Sequence, residues 1–263
     1  MGHERVSSLP QKSQKWIDLV KNMSSMYPDG FPVAIVAAQT LHNVRLQYES
    51  LSRDEAIKTV FAFLVSFSRA CRVEDPIVEL KATGVSLPDD PTLLSLVKAL
   101  RQQVPVEEAT SEYGQLALAA AADALGQWQK DNIPRQLLLF QTKINFFESW
   151  RRLGTGSGFC ELSRLFFGRL TERYLNYFLD RVASATFRSI HQRNQFEHDI
   201  KSHVDDVSKH AFETAKITQS FAAGWFNAHA LGDHVPGERQ IENFLGLAFG
   251  KLRDELYREE AGK

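Results

Sequence analysis

The sequence predicts an all-α fold, a bundle of about eight or nine helices with no significant sheet. Three observations predict it. Apolar residues recur at helical spacing in segment after segment. Capping residues, prolines and glycines punctuate those segments. No window alternates with period two and β-branched enrichment. Of the 263 residues, 43% are hydrophobic and 24% charged, ordinary values for a chain that packs a core.

The elements follow in order. Residues 1–10 read as a loose tail. Trp16, Leu19, Val20 and Met23 place a first amphipathic helix over 11–26, and Tyr27-Pro28-Asp29-Gly30 turns the chain. Pro32 suits a first helical turn and opens a helix to about Glu49. Ser52-Arg53-Asp54-Glu55 has the form of a capping box and starts a helix to about Arg72. The stretch with Gly84, Pro88 and Pro91 reads as a loop. A helix from Thr92 to Gln103 is stopped by Pro105.

The second half starts with a helix over 107–130 carrying the run Ala119–Ala122, a face small enough for close backbone approach. Residues 136–153 are rich in Leu, Phe and Trp. Gly154-Thr155-Gly156-Ser157-Gly158 interrupts the pattern and reads as a bend between two helices. The segment 159–185 is apolar on more than one face, through Leu162, Leu165, Phe166, Phe167, Leu170, Tyr174, Tyr177 and Phe178, so it is expected at the centre of the core. One further helix is expected over 188–231, and a last one over 238–259. Two subdomains, 11–105 and 106–263, are a possible division of one continuous helical chain.

Charge excludes a global pull toward nucleic acid or anionic membrane, because the net charge is −1. It is unevenly spread. Residues 135–193 hold ten basic and four acidic side chains, and nine of the ten are arginine. Arg164, Arg169, Arg173, Arg181, Arg188 and Arg193 lie among aromatic residues there. Arginine serves carboxylate and phosphate alike, so Arg164, Arg169, Arg173 and Arg188 are candidate contacts for an acidic protein or a nucleic acid. Pairing with Glu172 and Asp180 inside the fold explains the same residues.

The glycine loop, with Arg151, Arg152 and Arg164 near it, has one feature of a phosphate loop: glycines leading into a helix N-terminus. It lacks the preceding strand and the Lys-Ser/Thr of a P-loop. Asp199, His203, Asp206 and His210 share one face of a helix, a spacing that suits a divalent metal only if a second helix supplies more ligands. An apolar stripe, Phe196, Ile200, Val204, Val207 and Ala211, runs beside them, so the His/Asp face reads as the solvated flank. No metal site is expected there. Cys71 and Cys160 are too far apart for a zinc pattern and read as reduced, partly buried thiols.

In Arg193-Asn194-Gln195-Phe196-Glu197-His198, a histidine able to move a proton follows an arginine able to hold phosphate charge. This run resembles the short motif of HEPN-type ribonucleases, small all-helical domains. The resemblance covers six residues. It implies that Arg193 and His198 lie at a cleft where RNA is cut, usually across a dimer.

No GxSxG, HExxH or GxGxxG signature occurs, and no cofactor is expected. The first residues are polar, with no leader core, and no stretch reaches the roughly 20 apolar residues of a membrane span. The expectation is a cytoplasmic, non-enzymatic helical interaction or scaffold subunit of a larger assembly, with a protein partner and room for an oligomer. The alternative is a nucleic-acid-directed protein, a ribonuclease using Arg193 and His198.

Overall fold

The computed structural model describes residues 33–132, 146–186, 189–212, 220–230, 232 and 235–261. The tail over 1–10, the helix over 11–26, most of 136–153 and Arg188 lie outside them. The described residues form twelve α-helices, short 3₁₀ and π segments, and no strand.

The first helices are α1 (Val33–Asn43) and α2 (Arg45–Ser50), followed by a 3₁₀ turn, Leu51–Arg53. The expected single helix to Glu49 is thus broken at Val44. Helix α3 (Glu55–Ala70) is capped by Asp54, whose carboxylate accepts from the amide of Ile57 at 3.0 Å. Ser52 does not cap it; its hydroxyl donates to the Glu49 carbonyl instead. The capping signal was real and sat two residues later, because the 3₁₀ turn takes up Ser52.

Helix α4 (Pro76–Ala82) stands where the sequence read as loop. Pro76 starts it and Asp75 caps it by accepting from Val78, so about two turns form without periodicity long enough to register. Gly84 then takes a φ of +81°, the left-handed conformation that glycine adopts at no steric cost. Helix α5 (Leu93–Gln103) opens with a reciprocal box between Thr92 and Ser95. A single turn, α6 (Val106–Ala109), precedes α7 (Glu112–Asn132).

After α8 (Phe146–Trp150) and the 3₁₀ turn Arg151–Gly154 comes α9, which runs unbroken from Gly156 to Thr186. Then follow α10 (Ile190–Phe212), α11 (Phe221–Trp225), a π segment (Phe226–Ala230) and α12 (Glu238–Ala261). The single helix expected over 188–231 is not continuous. Ser220 is extended and caps α11, its hydroxyl accepting from the Ala223 amide.

Helix α9 is the axis of the fold. It packs against α7, α10, α11 and α1, while α3 lies against α7 and α12. Phe166, Leu170, Tyr174 and Phe178 are buried, as the apolar pattern of this helix predicts. Phe61 of α3 stacks on Phe244 of α12 with centroids 4.9 Å apart, and Trp128 stacks on Trp150 at 4.9 Å and 12°. Burying so many rings supplies most of the driving force.

Polar groups inside the fold tie helices together. Tyr48 of α2 and Thr171 of α9 share a buried hydrogen bond at 2.9 Å. Burial pushes the Tyr48 phenol well above its usual range. Lys58 of α3 is buried and reaches Glu55 and Glu238, each at 2.7 Å. The Glu238 partner joins the N-terminus of α12 to α3. Cys71 and Cys160 are buried thiols outside any disulfide, and the Ser220 hydroxyl donates to Cys160 Sγ at 3.0 Å. Among the described residues, no helix is long and apolar enough to cross a membrane.

Candidate anion-binding cleft

The cleft lies where four elements meet: the end of α3, the 3₁₀ turn after α8, the start of α9, and the π segment. Thr155 is the local organiser. Its hydroxyl donates to the Arg152 carbonyl at 2.8 Å and accepts from the Gly158 amide at 3.1 Å. Its own carbonyl takes the Phe159 amide at 2.9 Å, which starts α9.

The three glycines of this loop are explained by close packing. A β-carbon on Gly154 would lie 2.8 Å from Cβ of Arg72 and 2.9 Å from its amide nitrogen. One on Gly156 would meet the Asn227 side chain at 2.9 Å. One on Gly158 would meet the Arg152 carbonyl at 2.1 Å. None of the three has positive φ. The loop is a packed joint that draws α3, α9 and the π segment together.

The resulting cleft has a volume of about 430 Å³ and is lined by Arg72, Arg151, Gly154, Thr155, Gly156 and Asn227. Arg151 faces Glu148 at 3.3 Å, a pair in which both side chains are exposed. Arg72 is exposed and forms no ion pair among the described residues. The first amides of a helix carry partial positive charge, and two guanidinium groups beside them make the cleft cationic. A carboxylate or phosphate is the chemical complement. The π segment brings Asn227 to the cleft, and within it His229 stacks on Trp225 at 5.5 Å with its Nδ1 3.1 Å from the Trp225 carbonyl. Such single π turns recur at functional sites.

The arginines singled out in the sequence lie elsewhere. Arg169 is buried and reaches Glu172 at 2.9 Å and Asp205 of α10 at 3.6 Å. Arg173 pairs with Asp123 of α7. Arg152 pairs with Glu161 and bonds to Asn132. Arg164 is half-buried on α9. The side chains of Asp180 and Arg181 are outside the described residues, as is Arg188.

Arg193 reaches Glu197 at 3.1 Å, one turn along α10. His198 is exposed, and five residues along a helix set it about 140° around the axis from Arg193. On the same helix, Asp199 accepts from Gln195 at 2.7 Å and Asp206 from Lys209 at 3.2 Å. His210 lies 3.6 Å from Glu255 of α12. Among the described residues no three His, Cys, Asp or Glu side chains come together in a way that could hold a metal ion. The apolar stripe of Phe196, Ile200, Val204 and Val207 is buried.

Sequence reasoning missed Arg72 and Asn227. Arg151 lies near the glycine loop in sequence, but Arg72 and Asn227 reach it only through tertiary packing, which no local pattern encodes. Comparison of the chain with protein-family models, with curated proteins and with solved structures finds no match.

Proposed function

We propose that this chain is a non-enzymatic helical interaction subunit of a larger cytoplasmic assembly, and that it takes an acidic side chain of a protein partner between Arg72 and Arg151. The cleft carries the reading: a concave, cationic surface at a helix start, lined by two arginines, Thr155 and Asn227 and by no histidine, cysteine or carboxylate. Arg169 and Arg173 already have carboxylate partners, so the arginine-rich stretch offers isolated anion contacts in place of the continuous track that a phosphate backbone favours. That supports an acidic protein segment over nucleic acid. Two buried cysteines outside any disulfide suit a reducing compartment.

The test is titration of a poly-aspartate peptide and of single-stranded RNA into wild type and an Arg72→Gln/Arg151→Gln variant, at low and moderate salt. The double variant should bind the peptide about tenfold more weakly, a change of about 1.4 kcal/mol, with its thermal midpoint unmoved. RNA cleavage that disappears in His198→Ala would overturn the reading in favour of the ribonuclease alternative.

A further inference from the structure

We propose that Thr155 is a phosphorylation site, and that its phosphate folds back between Arg72 and Arg151 and closes the cleft to an acidic partner. The closure rests on the reading of the cleft as an acidic-segment site; the modification itself does not.

The acceptor is the first observation. Thr155 is exposed, and its backbone is extended, with φ −98° and ψ 156°. Arg152 and Arg151 stand three and four residues before it, and both are exposed. Arginine at that distance is a charge pattern by which arginine-directed protein kinases select their substrates. Leu153 and Gly154, between Arg152 and Thr155, are buried, so the joint opens locally to admit the kinase. The γ-phosphoryl group of ATP is transferred. The bond from Thr155 Oγ1 to phosphorus forms, and the bond from phosphorus to the β–γ bridging oxygen breaks. ADP leaves, and a base of the kinase takes the hydroxyl proton.

The surroundings of that hydroxyl are the second. Thr155 lines the cleft together with Arg72, Arg151 and Asn227, and a volume of about 430 Å³ holds a phosphate group with space left over. Arg72 forms no ion pair among the described residues, and Arg151 exchanges an exposed pair with Glu148 for a dianion. The ester loses the bond that the hydroxyl donates to the Arg152 carbonyl. Its oxygens still accept from the Gly158 amide and also take the Ser157 hydroxyl. A phosphate opposite paired arginines gains charge-assisted hydrogen bonds. Tethered to the chain, it is present at a high effective concentration and displaces a carboxylate that must arrive from solution.

The test incubates the full chain with ATP and a kinase that requires arginine three residues before its acceptor. Mass spectrometry should place a phosphate on Thr155, and a chain left unmodified there would overturn the proposal. Phosphorus NMR of the modified chain should show the phosphate titrating below its usual value of about 6. Arg72→Gln, which leaves the kinase's recognition stretch intact, should move that titration back up. A phosphate that titrates alike in both proteins lies in solvent, and the proposal falls. Phosphorylated wild type should bind poly-aspartate about tenfold more weakly than the unmodified chain, and equal binding would also overturn the closure. If the unmodified chain binds no poly-aspartate, the reading of the cleft fails, and the phosphorus titration still decides where the phosphate sits.

Discussion

Gly154 lies directly against the backbone of Arg72, with room for a hydrogen and none for a methyl group. The contact fixes the end of α3 against the start of α9, and so sets the width of the cationic cleft. Gly154→Ala should cost about 1–3 kcal/mol, the usual range for overpacking a closed site. Urea denaturation measures it, and the variant should also bind poly-aspartate less well, because Arg72 must move. A neutral substitution would mean that the joint yields freely.

Two arginines of the basic stretch should behave differently when neutralised. Arg169 is buried between Glu172 and Asp205, so Arg169→Gln strands a half-buried carboxylate and should cost about 3 kcal/mol. Arg193 holds Glu197 on a solvated helix face, and Arg193→Gln should cost less than about 0.5 kcal/mol. Chemical denaturation of the two variants side by side checks the contrast. Equal losses would show that Arg169 has an alternative partner.

Lys58 and Glu238 make stability depend on pH at both ends. The Lys58 ammonium holds Glu238 below the usual carboxylate range, and the two glutamates hold Lys58 above the usual ammonium range. A carboxylate with a depressed folded pKa contributes stability above its unfolded value, about 4.3, and that contribution is lost as pH falls through the folded value. An ammonium with a raised folded pKa contributes fully below its unfolded value, about 10.4, and loses that contribution as pH rises through the folded value. Thermal midpoints of Glu238→Gln should therefore fall less steeply than wild type below about pH 4. Parallel curves would show that the bridge contributes nothing.

The long helices were legible because their burial is periodic. Phe166, Leu170, Tyr174 and Phe178 mark α9 as central in the sequence and are buried in the fold. The short elements were not. Helices α4 and α6 give too few turns for periodicity to show, and the cap moved from Ser52 to Asp54 because a 3₁₀ turn absorbed two residues. Electrostatic roles were half legible. Glu172 was foreseen as a partner of the arginines through local spacing. Asp123 and Asp205, which arrive from other helices, were not. The cleft is the extreme case: Arg72, Arg151 and Asn227 belong to three separate segments of the chain.

The parallel stack of Trp128 on Trp150 has an optical consequence. Two indoles 4.9 Å apart and within 12° of parallel share their excited states, so the pair absorbs circularly polarised light as one chromophore. The chain has four tryptophans, and half of them belong to this one unit. The part of the near-ultraviolet dichroism that Trp128→Phe removes therefore reports the seam between α7 and α8, and the seam's opening can be timed without attaching any label.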